Sequence, residues 1–212
     1  MHIPDGFLSP QVWMPLAVGS GLAVVYAARR AEREVPPEKV PLVGATAAFI
    51  FAAQMVNFRV SGGFSGHLIG GVLAAALLGP NAALVAMTVV LLVQALLFQD
   101  GGVTALGANV LNMAVIATWV GWPLARVLAA RIATPNGRAA AVGFGAAVAV
   151  LLGAVACALE LSASGTIPLR PHGVPLYKSI PLLFVAVHVP VAAAEGILTA
   201  GALTIMYRWR PD

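Results

Sequence analysis

Charge is scarce in this sequence. Only 9% of its 212 residues are Asp, Glu, Lys or Arg, whereas a soluble domain carries about 25%. With 60% of residues apolar and a mean hydropathy of +0.92, one globule of this length cannot hide its apolar surface from water, and lipid is its natural solvent. Cysteine is nearly absent too. Cys157 stands alone, which excludes a disulfide framework and any CxxC metal or redox motif. Lying in an apolar run, it reads as a small core residue. No Gly-rich phosphate loop with a following Lys-Ser/Thr occurs, so the chain does not hydrolyse ATP by that route. No His-Glu-x-x-His element occurs either, which argues against a metalloprotease of the bilayer and, with the rest, against an enzyme. An inverted repeat and a dense row of membrane carboxylates are also missing, unlike in many ion-coupled secondary transporters. Because no basic stretch precedes the first apolar segment, no cleavable signal peptide is expected, and Met1 is expected to be the mature amino terminus.

What is present is a series of apolar runs near the 20 residues that a membrane span needs. They cover residues 11–28, 40–58, 68–99, 104–124, 139–162 and 180–206. The expectation is an all-α polytopic membrane protein, a single domain over residues 1–212. The net charge of +4 sits in short basic clusters between these runs. That is a pattern of membrane topology and not of a nucleic-acid-binding face.

The run 68–99 is either one long tilted helix or two helices broken at Gly79-Pro80-Asn81, which is turn chemistry. Positive residues decide, since Lys and Arg accumulate on the cytoplasmic side. Two helices give seven spans with the amino terminus outside and the carboxyl terminus in the cytoplasm. Nine of the 12 Lys and Arg then lie inside, leaving only Arg59, Arg170 and Lys178 outside. One helix divides them six to six. Seven spans are therefore expected. A helix from His67 to Gly79 would rise only about 20 Å, short of a hydrocarbon core of about 30 Å. The glycine-rich stretch 61–66 before it suits a loop that dips inward, a geometry tolerated only where it is buried in protein or lines a cavity. His67 is thus expected at the floor of an outward-facing pocket.

Of the four histidines, His2 is the most informative. A free Met1 amino group, the amide nitrogen of residue 2 and the His2 imidazole form fused small chelate rings around one ion. A further imidazole, from His67, completes a plane of four nitrogens, a geometry diagnostic of Ni²⁺ or Cu²⁺. His188 and Glu195 share one face of the last span, and ionisable groups at that depth suggest function, although a helix–helix hydrogen bond explains them as well. The same holds for Glu160, Gln54, Asn57, Gln94 and Asn112. His172, in the Pro-rich stretch 166–178, reads as a solvated loop residue. Asp100-Gly101-Gly102 is ordinary turn chemistry, and Asp5 and Asp100 could also draw cations. Asp5, Ser65, Asn57, Gln99 and Asn112 are candidates to orient the imidazoles from behind.

Several segments share one resemblance. They are Met1-His2-Ile3-Pro4-Asp5-Gly6-Phe7-Leu8, Asn57-Phe58, Ser65-Gly66-His67-Leu68, the stretch from Gln94 to Gly102, Thr104-Ala105-Leu106-Gly107-Ala108-Asn109, Glu160-Leu161 with Ser164-Gly165-Thr166, and His188 with Glu195-Gly196. Together they resemble the substrate-specific (S) component of energy-coupling factor transporters for cobalt or nickel, the CbiM/NikM family, along essentially the whole chain. The resemblance implies a six-helix core with an extra amino-terminal helix and a terminus tucked into that core. On matching positions it implies metal ligation by Met1, His2 and His67, with Ni²⁺ or Co²⁺ as the transported ligand and no cofactor. It also implies a transmembrane coupling (T) protein, two cytoplasmic ATPase subunits and a small accessory membrane protein as partners, in the cytoplasmic membrane of a prokaryote. The Pro4-Asp5 pair leans towards the nickel branch, as does amide ligation. The alternative is a stand-alone metal channel or facilitator.

Overall fold

The computed structural model describes residues 1–56, 58–59, 65–166 and 180–209. It is all-α apart from one short ladder. Helix α1 (Pro10–Glu34) starts with Pro at its first position, where the missing N–H costs nothing. A turn at Pro37–Lys39 leads to α2 (Val40–Gln54). Strands β1 (Phe58–Arg59) and β2 (Ser65–Gly66) pair antiparallel, with Phe58 opposite Gly66 and Arg59 opposite Ser65. Then come α3 (Gly71–Leu78) and α4 (Pro80–Leu97). The break between them, at Gly79 with φ +80°, is where the Gly-Pro-Asn turn was expected. A continuous helix α5 (Leu106–Ala129) follows. Its middle, Leu111–Gly121, is wound as a π-helix, and Pro123 just beyond lacks the N–H that would return to the Trp119 carbonyl. Helix α6 (Pro135–Ser164) is capped by Thr134, whose hydroxyl accepts from the Gly137 N–H at 3.2 Å, and ends at Gly165 with φ +62°. The last helix is α7 (Ile180–Trp209).

Among the described residues five helices are long and apolar enough to cross a membrane, namely α1, α4, α5, α6 and α7. Helix α2, with 15 residues, and α3, with 8, fall short alone. The expectation that the third helix begins at His67 is corrected here. It begins at Gly71, because the peptide groups of residues 68–70 are taken by side chains instead of a helical ladder.

The helices approach closely through small residues, as membrane bundles do. A Cβ on Gly143 of α6 would come within 2.3 Å of the Gly196 carbonyl of α7, and one on Gly107 of α5 within 2.4 Å of Ala17 Cα of α1. The central core joins Leu84, Met87 and Leu91 of α4, Met113 of α5, Val150 of α6 and Val191 of α7, with the Met1 side chain among them. A second cluster packs Ile3 and Leu8 on Ala105, Ala108, Cys157 and Leu161. The amino-terminal residues are thus part of the bundle's interior. Two adjoining apolar grooves of about 440 and 410 Å³ open between α2, α3 and α7.

Candidate metal centre

Two non-helical straps enter the bundle, each carrying one histidine. The first is residues 1–9. Ile3 is held on both sides of its own backbone. Its N–H donates to Asn109 Oδ1 at 2.8 Å, while its carbonyl accepts from Asn109 Nδ2 at 3.2 Å and from the Gly102 N–H at 2.8 Å. The strap lies flat on Gly101-Gly102, where side chains would intrude. A Cβ on Gly102 would sit 2.3 Å from the Asp5 nitrogen, and one on Gly101, whose φ is +97°, 3.2 Å from His2 Nδ1. Asp5 then accepts from the Val103 N–H, the Thr104 N–H and the Thr104 hydroxyl, ahead of the first turn of α5. Further out, Ser164 Oγ accepts from the Ser9 N–H at 2.5 Å, and the Thr166 hydroxyl donates to the Phe7 carbonyl.

The second strap is residues 65–70. Glu195 of α7 accepts the Ile69 N–H at 2.8 Å and the Gly70 N–H at 2.7 Å, one with each carboxylate oxygen. Gln54 of α2 donates to the Ile69 carbonyl at 2.7 Å, and Gln94 of α4 donates to Gln54 Oε1 at 2.9 Å. Gly70, at φ +76°, makes the left-handed step that lets α3 start at Gly71.

The straps meet at their histidines. The rings of His2 and His67 stand edge to face, with centroids 4.8 Å apart at 76°. The Met1 amino group lies within electrostatic reach of both rings. His2 Nδ1 faces the Asp100 carbonyl at 2.8 Å, and His67 Nδ1 the Leu68 carbonyl at 2.7 Å. A carbonyl only accepts, so each Nδ1 carries the proton and each Nε2 is left with a lone pair. His188, in electrostatic reach of His67, repeats the pattern, its Nδ1–H donating to the Phe184 carbonyl at 2.7 Å. All three Nε2 atoms are buried with no hydrogen-bond partner among the described residues. Leaving such acceptors unmade costs about 1–3 kcal/mol each, and with the His2 and His67 rings in contact the site is a candidate for a ligand. Burial pushes the Met1 amine below its ordinary value, against the opposing pull of Cys157 and Asp100. It lowers His2 as well, with the nearby amino terminus adding to the effect. Both groups are thereby held towards the neutral form that binds metal.

Among the described residues no three His, Cys, Asp or Glu side chains form a ready-made metal cluster. Any set of four donors here would need main-chain nitrogens beside the imidazoles. Closing a six-membered ring with its own amide requires Nδ1 of His2, which here points to Asp100, so the ring must turn about Cβ–Cγ for that chelate. A cavity of about 540 Å³, lined among others by His2, Asp5, Gln99 and Asp100, adjoins the site.

Of the residues expected behind the imidazoles, none of Asp5, Gln99 and Asn112 is seen bonded to an imidazole. Asp5 caps the turn before α5, and Asn112 donates to Glu160 Oε2 at 2.7 Å. Gln99 lies in the turn after α4 with φ +55°. Asn57, His172 and most of the 61–66 loop lie outside the described residues. Asn109, Glu195 and Gln54 make the supporting contacts instead. A signal for Glu195 existed, since a carboxylate inside an apolar span needs strong partners. Nothing in the sequence showed that those partners are the peptides beyond His67.

A family model described as the cobalt uptake substrate-specific transmembrane region, CbiM, matches residues 2–212. The chain is 39% identical over 228 residues to the fused nickel transport protein NikMN of Rhodobacter capsulatus, covering 100% of this chain and 63% of that longer protein. It is 35% identical over 208 residues to the cobalt transport protein CbiM of Streptomyces coelicolor, covering 97% of this chain and 88% of the relative. A crystal structure of a truncated transition metal transporter superposes with a TM-score of 0.82 at 33% identity, covering 99% of this chain and 98% of the other. The chain is a membrane protein that belongs to the CbiM family of cobalt and nickel transport proteins.

Proposed function

We propose that this chain is the substrate-capturing membrane subunit of an ATP-driven energy-coupling factor importer for a divalent transition metal, with nickel favoured over cobalt. One observation carries the reading. A buried amino terminus lies by the His2 ring, which stands edge to face with the His67 ring, and the His67 Nε2 lone pair has no hydrogen-bond partner among the described residues. The proposed donors are the Met1 amino nitrogen, the His2 amide and imidazole nitrogens, and the His67 ring, with His2 turning to offer Nδ1. Four nitrogens in a plane favour Ni²⁺ over Co²⁺. The rising affinity order favours Cu²⁺ still more, so metal availability has to contribute to selectivity.

The topology that goes with this has seven spans, with the amino terminus outside and the carboxyl terminus in the cytoplasm of a prokaryotic cell. The nine-to-three division of Lys and Arg supports it. The chain lacks a phosphate loop of its own, so energy has to come from a coupling membrane protein and two cytoplasmic ATPase subunits. A small accessory membrane protein fits beside them. The His2 cavity faces outside in this arrangement and serves as the vestibule in which the ion sheds water.

The first test is equilibrium Ni²⁺ and Co²⁺ binding by detergent-purified protein with its native amino terminus, beside a version extended by one residue before Met1. Tight one-to-one binding that the extension abolishes is expected. Equal binding by both versions removes Met1 and His2 from the site. Affinity is also expected to fall with falling pH, because the amine and the amide have to give up protons and acid competes for the imidazole lone pairs. As burial lowers the Met1 amine and His2, proton competition at these two groups begins at a lower pH than in a free peptide. Metal flux into liposomes without ATP or partners would replace the importer by a facilitator.

A further inference from the structure

We infer that Glu195 is a positioning residue for the metal site, acting on His67 through the single peptide group between them. The inference deepens the proposed donor set and rests on it.

The Leu68 carbonyl, which accepts from His67 Nδ1–H at 2.7 Å, and the Ile69 N–H, which donates to Glu195 Oε2 at 2.8 Å, are the two ends of one peptide group. The chain of contacts is therefore carboxylate, peptide, imidazole, with Nε2 of His67 free at its far end. Imidazoles that bind metals usually give their second N–H to a carboxylate or a carbonyl, which fixes the tautomer and raises ligand basicity. Here both devices stand in series. A carboxylate on the N–H polarises the peptide, and its carbonyl becomes a better acceptor for the imidazole. The next peptide is held the same way, its N–H by Glu195 Oε1 at 2.7 Å and its carbonyl by Gln54 Nε2 at 2.7 Å. Two consecutive peptide planes are fixed at both ends, so the backbone that aims His67 has little freedom left. Helix packing alone would not explain the arrangement. Glu195 is 3% exposed, and both its oxygens serve the strap rather than a neighbouring helix.

The test compares Glu195→Gln with the wild type, both with native amino termini, by nickel titration and by X-ray absorption counting of imidazoles per bound nickel. The amide can accept only one of the two N–H groups and presents its own N–H to the other. Affinity is expected to fall about 10- to 100-fold, the usual cost of losing such a support, with the imidazole count falling from two to one. Thr199→Val, one turn further along the same helix, is expected to bind like the wild type. Wild-type affinity in Glu195→Gln, or weaker binding with two imidazoles retained, overturns the inference, as does an equal loss in Thr199→Val. Should Glu195→Gln fail to fold, Gln54→Met decides. It frees the second peptide's carbonyl and also removes the acceptor of the Gln94 amide, and a loss of at least about three- to tenfold is expected; unchanged affinity there refutes the clamp. A wild type that binds no nickel refutes the donor set itself.

Discussion

The two straps bring one histidine each to the same point, yet they are secured by opposite means. Strap 65–70 is an internal segment. Its peptides are gripped by buried side chains of α2 and α7, the Gln54 side chain of α2 being braced in turn by Gln94 of α4. Strap 1–9 is a chain end that could swing free, and it is secured mainly by fit. It lies on the bare backbone of Gly101-Gly102 and is pinned once deep inside, at Asn109, and again towards the surface, at Asp5 and Ser164. An internal segment pays its ordering cost through the neighbouring helices. A terminus has to be ordered by its own contacts, at about 1–2 kcal/mol for each backbone residue fixed. The amino-terminal strap is therefore the more breakable half of the site, and substitutions under it should sever metal binding while leaving the bundle intact.

The largest effect is expected at Gly102. A Cβ there would lie 2.3 Å from the Asp5 nitrogen and 2.7 Å from the Pro4 carbonyl carbon, contacts with backbone that no rotamer relieves. Overpacking of this kind costs about 1–3 kcal/mol or more, and it falls on a strap with no other seat. Gly102→Val should weaken nickel binding by about 100-fold, towards the upper end of that range, as read by calorimetric titration, with helical circular dichroism unchanged. If nickel binds normally, the strap can lift away from these glycines without cost, and fit is not what secures it.

Asn109 comes next. Asn109→Leu strips the Ile3 N–H of its partner and leaves it buried, at about 1–3 kcal/mol. The Ile3 carbonyl keeps the Gly102 N–H, so the strap is loosened without being evicted. A loss of about 10- to 100-fold in nickel affinity follows from that energy, with a faster metal off-rate. A loss matching that of Gly102→Val would show that the pin, and not the glycine seat, dominates.

The same contrast governs what the sequence could reveal. Composition alone indicated a helical membrane protein, and Gly79-Pro80 marked the break between α3 and α4. The amino-terminal strap was legible as a chelating end from one local chemical signal, a histidine beside the amino terminus, while its place in the core came from the family resemblance and its glycine seat read as an ordinary turn. The 65–70 strap was legible only at His67. Its supports come from residues up to 126 positions away, and one Glu or Gln in an apolar span looks the same whether it binds a helix or a strap. The helix expected to start at His67 failed for that reason. Apolar periodicity continues through Leu68 and Ile69, but their peptide groups are occupied by Glu195 and Gln54. Asn109 belongs to the Thr104–Asn109 segment of the family resemblance, but nothing local in the sequence points to its distant partner, Ile3.

The smallest effect is expected at Asp5, which separates fit from polar pinning at the strap's exposed end. Its carboxylate takes three donors from Val103 and Thr104, and these contacts, led by the Thr104 hydroxyl, hold its pKa below the ordinary value. A lowered carboxylate pKa contributes stability that is fully present above the ordinary value of about 3.9. The contribution is lost as pH falls through the folded value, so it is intact wherever the amine and imidazoles are neutral enough to bind nickel. Because the group is exposed, water competes for each bond and the net gain is small. Asp5→Asn keeps the side chain's shape and one acceptor oxygen. It should weaken nickel binding by only about two- to fivefold, and by the same factor at pH 7 and pH 8. A loss of about 100-fold would instead make the charge of Asp5 part of the attraction for the incoming cation. That second origin is recognisable, since an electrostatic contribution at an exposed site shrinks as salt is raised, whereas a lost pin does not.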